Sequence, residues 1–272
     1  MIKVLRIAVS AVFVLVSAVF VYYLITGNVN TDNTVPEITI IGDVLEVALD
    51  STEEDFLNGV TAYDGKDKDI TDKIVVESVS KFTDDGICKV TYAVCDSDNH
   101  VAKATRKIKY RNYTSPKFEM TQSTCYSIYE NIDVSKAIKV TDCIEGDITR
   151  NLIITSKDYT SSQTGVFTIE ASVTSSRGDT ARLEIPLIIE DRSLSAPNIK
   201  LSEYLIYTKV GKMPDFDKYV ETVTDAYDRK IDVDVKTETN IDINEAGTYS
   251  VHYYATDDGL QGHTVLTVVV GS

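Results

Sequence analysis

The sequence predicts an all-β protein built from three tandem antiparallel β-sandwiches that follow a single N-terminal transmembrane helix. Three observations carry this. Gly86, Gly165 and Gly247 each open an alternating apolar run, at spacings of 79 and 82 residues. Pro36, Pro116 and Pro197 recur with nearly the same period. A period of about 80 residues is too long for a solenoid repeat and right for a small domain. The third observation is one long apolar run at the start of the chain.

That run covers residues 4–26 and holds a single charge, Arg6. At about 1.5 Å per residue it reaches roughly 34 Å as a helix, enough to cross a bilayer core. Lys3 and Arg6 precede it or open it, and no Lys or Arg follows until Lys66. The asymmetry places residues 1–27 as a cytoplasmic tip and signal-anchor, with everything after them outside the cell. The alternative is a cleaved signal peptide, whose apolar core runs only about 7–15 residues before a small-x-small site. Ile25-Thr26-Gly27 is a poor match to such a site. Ser10, Ala11, Ser17 and Ala18 repeat at seven and offer one small-residue seam for a second helix, while scattered Ala and Ser are also ordinary in such helices.

Residues 28–35 read as a polar tether, and 36–113, 114–194 and 195–272 as three modules. Each module opens at its proline, which suits the first position of an edge strand because no ladder hydrogen bond is lost there. Strand patterns follow in the first module at 37–41, 45–49, 73–79, 88–94 and 101–110. Helical periodicity is confined to single turns near Glu53–Leu57, Val134–Ala137 and Asp215–Tyr219. In the strands after each glycine, Phe167, Ile169, Ala171 and Val173 face inward, as do Tyr249, Val251, Tyr253 and Ala255. Ser250, His252 and Tyr254 face outward. Short linkers between modules imply that neighbours touch.

A second signature recurs upstream of each glycine. It runs from Val60-Thr-Ala-Tyr-Asp64 through Asp67 to Asp69-Ile70-Thr71, and again from Val140-Thr-Asp142 through Glu145 to Asp147-Ile148-Thr149. The third copy, Val223-Thr-Asp225 to Ile231-Asp232, departs from it, with Lys230 and Asp232 in place of the final Asp and Thr. With the glycine strands, this resembles the bacterial immunoglobulin-like surface repeats, a domain type also found in some pesticidal crystal proteins. The resemblance covers about residues 35–272 in three copies. It implies an Ig-like sandwich serving as spacer or adhesive module on an exported protein, and implies no catalysis.

Charge and side-chain chemistry narrow the function further. Asp plus Glu number 42 against 27 Lys plus Arg, for a net charge of −15. Nucleic acid is disfavoured as a partner, since phosphate binding needs clustered cations. His100, His252 and His263 belong to no hydrolase motif, with His252 facing outward from a strand and the other two at turns. The sequence therefore predicts no enzyme and no cofactor. Asp64, Asp67, Asp69, Asp96 and Asp98 crowd two loops at one end of the first module and are candidate calcium ligands, Ca²⁺ taking six to eight oxygens. The competing role for such aspartates is capping turns through their own backbone.

Sixteen tyrosines and no tryptophan leave Tyr126, Tyr129, Tyr204, Tyr207 and Tyr254 as candidates for an exposed sugar or peptide platform, against ordinary strand packing. Cys88 and Cys95 point to opposite faces of one strand and cannot bridge. Cys125 and Cys143 are either small core residues or a disulfide. The expectation is a single-pass membrane protein whose extracellular modules bind an envelope protein or glycan, or else act as a structural spacer or accessory subunit of a membrane complex.

Overall fold

A computed structural model describes residues 2–29, 33–156, 160 and 163–271. Residues 30–32 of the predicted tether lie outside the described residues. The apolar run forms helix α1 (Ile2–Val29), with side chains described from Val9 to Ile25. Among the described residues no helix is long and apolar enough to cross a membrane. Along the described stretch Phe13, Leu15 and Phe20 stand exposed.

The remainder is strand. The first module contains β1 (Glu37–Ile40), β2 (Val44–Val47), β3 (Val60–Asp64), β4 (Lys68–Asp69), β5 (Val75–Val79), β6 (Ile87–Cys95) and β7 (Val101–Tyr110), with a one-turn helix α2 (Glu53–Phe56). They form two sheets, ordered β1-β3-β4 and β2-β7-β6-β5. The second module repeats the plan with β8 (Lys117–Met120), β9 (Cys125–Ser127), β10 (Ile138–Asp142), β11 (Gly146–Asp147), β12 (Ile153–Ser156), β13 (Gly165–Thr174) and β14 (Thr180–Glu190). Its sheets are β11-β10-β8 and β12-β13-β14-β9. The third has β15 (Asn198–Leu201), β16 (Leu205–Lys209), β17 (Val220–Thr224), β18 (Val235–Thr239), β19 (Gly247–Asp257) and β20 (Leu260–Gly271), in sheets β15-β17 and β16-β20-β19-β18. The helical turns near residues 53, 134 and 216 are present, the last two as 3-10 turns.

The sheets are not wholly antiparallel, which corrects the expectation. β2 lies parallel to β7, β9 to β14 and β16 to β20. The cause is local. In the first module β1 and β2 are one extended segment broken at Gly42, whose φ of +79° a residue with a side chain rarely adopts. The chain changes sheet there without reversing. Alternating apolar residues mark a strand but carry no information about the direction of its neighbour.

The Asp-Ile-Thr signature has a physical reason. Asp147 Oδ1 accepts the Thr149 N–H at 2.9 Å, closing a 3-10 turn over Thr149–Asn151. Thr149 Oγ1 then accepts the Val140 N–H at 2.9 Å, and Ile148 between them is buried. Asp69, Ile70 and Thr71 do the same against Ala62. In the third copy Lys230 has no side-chain acceptor to close the turn, and a lone bridge between Thr224 and Lys230 replaces the short strand.

The chain divides into two compact units, Met1–Thr83 with Ile87–Arg111 and Asp84–Gly86 with Asn112–Ser272. In the first, Val60 and Ala62 from one sheet, Ile70 just after β4, and Val90, Tyr92 and Ile108 from the other sheet are buried, with Cys88 among them. The second holds modules two and three. One core gathers Phe118, Val140, Ile169, Ala171, Val173 and Ile185, and another Ile199, Val223, Val251, Tyr253, Ala255 and Val268. The inward faces read from the sequence are therefore those observed, Phe167 and Tyr249 at their margins.

Within this second unit β20 is buried on both faces. Leu266, Val268 and Val270 fill the third module's own core, while Val265 packs on Cys125 and Ile188 of the second. Tyr207 donates to the Phe118 carbonyl at 3.2 Å, and the Val265 N–H donates to Ser123 Oγ at 3.2 Å. Gly262 passes so close to the Pro197 carbonyl that a Cβ there would collide with it. Cys125 and Cys143 are not joined, so the bridge between them does not form.

Candidate functional site at the joint of modules two and three

The polar groups of unusual chemistry gather where β9, β14, β19 and β20 meet. Parallel pairing sets Ile188 opposite Cys125 and Glu190 opposite Ser127. On β20 the alternation that turns Leu266 and Val268 inward turns His263 and Val265 toward the second module. Antiparallel pairing puts Tyr254 opposite His263 and His252 opposite Val265, on that same face.

The side chains then converge. Cys125 Sγ lies 3.2 Å from His263 Nδ1 and 3.6 Å from Glu190 Oε1. Glu190 Oε2 lies 2.8 Å from His263 Nδ1, and Arg192 Nε donates to Glu190 Oε1 at 2.8 Å. The far ring nitrogen of His263 is 3.0 Å from His252 Nδ1. The rings of Tyr254 and His252 stack on His263, with centroids 4.4 and 5.2 Å away. One ligand atom each from Cys125, Glu190 and His263 falls within 4.8 Å of the others.

The electrostatics follow from burial and partners. Burial alone raises the Glu190 pKa, but the hydrogen bond and charge of His263, with Arg192 beyond, outweigh it and hold the carboxyl below its ordinary range. Burial, reinforced by the Glu190 charge, pushes the Cys125 thiol up. Burial and the neighbouring His263 lower His252.

A cleft of about 450 Å³ opens beside this cluster, its wall including Cys125, His263, Tyr126, Glu130, Arg192, Tyr204 and Asp228. Ligand sites commonly occupy volumes of this order. Its lining carries carboxylates, a guanidinium, hydroxyls and two aromatic rings, a set suited to hydrogen-bonding and stacking on a polar ligand.

The five aspartates read from the sequence sit in the first module. Their two loops do meet, through Lys66 Nζ on Asp98 at 2.8 Å and through Asp67, which accepts the Ser97 N–H and hydroxyl at 2.7 and 2.8 Å. Asp64 is buried and accepts the N–H groups of Lys66 and Asp67, both at 2.9 Å. Asp96 accepts the N–H groups of Asp98 and His100 at 2.9 and 2.7 Å. Asp69 caps the turn at Thr71. These carboxylates tie loops together, and the three-donor grouping found among the described residues does not include them.

Two other expectations need correcting. Tyr126 is buried rather than exposed, because it packs into the second module's own core, with Leu205 of the third beside it. His263 is not at a turn: β20 begins at Leu260, five residues before the apolar run that opens at Val265, since Gln261, Gly262 and His263 break the alternation. Tyr129 and Tyr207 are exposed, Tyr204 and Tyr254 half-buried. The pairing of Cys125 with His263, 138 residues apart, had no sequence signal. The cue available was that Cys125 stands where the other modules have Leu45 and Ile206.

Residues 45–109 match the family described as bacterial surface protein, Ig-like domain, which bears out the resemblance over that stretch. Over 134 residues the chain is 29% identical to an uncharacterized 81.3 kDa protein of Acholeplasma phage L2, a match covering 47% of this chain and 18% of that protein. The chain thus spans less than a fifth of that relative. Among solved structures, the M60 catalytic domain with CBM51-1 and CBM51-2 of Clostridium perfringens ZmpB aligns at 16% identity over 88% of this chain and 31% of that one, with a TM-score of 0.23. Drosophila N-cadherin EC1-4 aligns at 12% identity over 89% and 67%, with a TM-score of 0.24. Scores this low carry no ligand, partner or activity over to this chain.

Proposed function

We propose that the chain is a non-catalytic binding module of the bacterial cell surface, held to the membrane by α1, and that the cleft between modules two and three takes an envelope glycan. The observation that carries this reading is the cleft itself, with Glu130, Arg192, Asp228 and the Tyr204 ring around one opening. Hydroxyl-rich rings are held by such a mix of charged hydrogen-bonding groups and aromatic faces. The match of residues 45–109 to a surface-domain family supports display outside the cell. The uncovered apolar side chains of α1 and the apolar run at 4–26 support anchoring.

The test is binding of the full chain, in detergent, to a panel of envelope glycans. Saturable binding that weakens at least tenfold in Glu130→Gln or Asp228→Asn supports the reading. Binding to none of the panel, or binding indifferent to both changes, removes it. The second reading, a spacer or accessory subunit, is favoured by the shared burial of β20, which makes modules two and three one stiff body.

A further inference from the structure

We infer that Cys125, Glu190 and His263 bind a divalent transition-metal ion of the zinc class, and that this ion pins module two to module three. The site goes beyond the glycan reading and stands without it.

A thiolate, an imidazole and a carboxylate are the three protein ligand types that Zn²⁺ takes, with bonds of about 2.0–2.3 Å. Calcium needs six or more oxygens and is poorly served by sulfur and nitrogen. With Glu190 Oε2 as the oxygen ligand, the 3.2 Å from sulfur to nitrogen lies within about a third of an ångström of a tetrahedral edge for those bond lengths, and Glu190 Oε1, 3.6 Å from the sulfur, keeps the carboxylate beside the same point. The 2.8 Å edge between Glu190 and His263 must open by about half an ångström, given those bond lengths. That is within reach of a carboxylate rotation.

The surroundings are those a bound ion needs. With Nδ1 of His263 on the metal, its Nε2–H faces His252 Nδ1, 3.0 Å away, which accepts and fixes the tautomer. Arg192 donates to the Glu190 oxygen on the other side. Two anionic ligands balance a dication. Binding releases the Cys125 thiol proton, neutral His263 takes the tautomer with its proton on Nε2 so that the Nδ1 lone pair meets the ion, and no electron moves. The fourth position faces the cleft, where water completes the shell. The donors come from β9, from the end of β14 and from β20, so the ion would cross-link strands of two modules.

The test uses the reduced full chain, stripped with chelator and titrated with Co²⁺ and then Zn²⁺. The expected result is one Co²⁺ per chain with a thiolate-to-cobalt charge-transfer band, displaced by Zn²⁺ and absent in Cys125→Ser. His252→Ala should keep the band and weaken affinity about 10–100-fold, as loss of an outer partner does. X-ray absorption of the zinc-loaded wild-type chain, which needs no variant to fold, should show one sulfur among nitrogen and oxygen neighbours. No thiolate band in the wild type, a band that persists in Cys125→Ser, or a zinc shell without sulfur would overturn the inference. The last outcome would leave the Glu190–His263 contact as a plain ion pair.

Discussion

Glu190 and His263 lie 73 residues apart in the chain and meet at 2.8 Å, the carboxylate of one module's last strand against the imidazole of the next module's last strand. Hydrogen bonds involving charged groups contribute about 1.5–3 kcal/mol each. Glu190→Gln should therefore lower the stability of the 112–272 unit by about that much in chelator-treated buffer. Calorimetry should show the loss in one transition and leave the other unmoved, because the first unit has no part in this contact.

Gly262 provides an independent probe of the same joint. Its hydrogen lies against the Pro197 carbonyl, and a methyl group would overlap that oxygen. Gly262→Ala should cost about 1–3 kcal/mol, the usual range for overpacking. Urea melts of the variant should show the unit of modules two and three shifting while the first unit keeps its midpoint.

In the first module a buried cation is held by carbonyl and hydroxyl oxygens. Arg106 is 4% exposed and donates through Nη2 to the carbonyls of Phe56 and Asn58 at 2.7 and 2.8 Å and to Tyr92 Oη at 3.0 Å. Tyr92 in turn donates to the Phe56 carbonyl at 2.7 Å. Tyr92→Phe strips an acceptor from the guanidinium and a donor from the carbonyl. It should destabilise the first unit by about 1–3 kcal/mol, the cost of leaving such groups unmet. Denaturant midpoints of the two units check this, since the second should not respond.

The acidic loops predict a pH dependence. Bonds from the Ser97 hydroxyl and N–H, then the charge of Lys73, hold Asp67 below the ordinary carboxylate value of 3.8. Lys66, Asp64 and Asp98 lie in the same loops. Between the folded and unfolded values the unfolded chain binds more protons, so stability rises with pH there. The contribution is complete above 3.8 and is lost as pH falls through the lower folded value. Melting temperatures of the first unit should drop as the pH falls below about 4, and Asp67→Asn should flatten that drop. An unchanged slope in the variant would show that other carboxylates govern it.

Much of this was legible in the sequence, for reasons that particular residues show. Val251, Tyr253 and Ala255 could be placed inside because strand alternation is a local rule, and their burial confirms it. Asp147-Ile-Thr149 could be read as a turn because its bonds close within ten residues. The parallel pairing of β9 with β14 could not, because direction is set by a change of sheet rather than by any residue pattern. The joint was hidden for the same reason. Cys125, Glu190 and His263 come from distant strands, and only the packing of one module on the next makes them neighbours.

The most direct measurement is protease shaving of intact cells that carry the full chain. If α1 anchors the modules outside the cell, protease should release fragments of the 36–272 region while α1 remains with the membrane. Full protection of the modules until the cells are lysed would contradict this account of the protein.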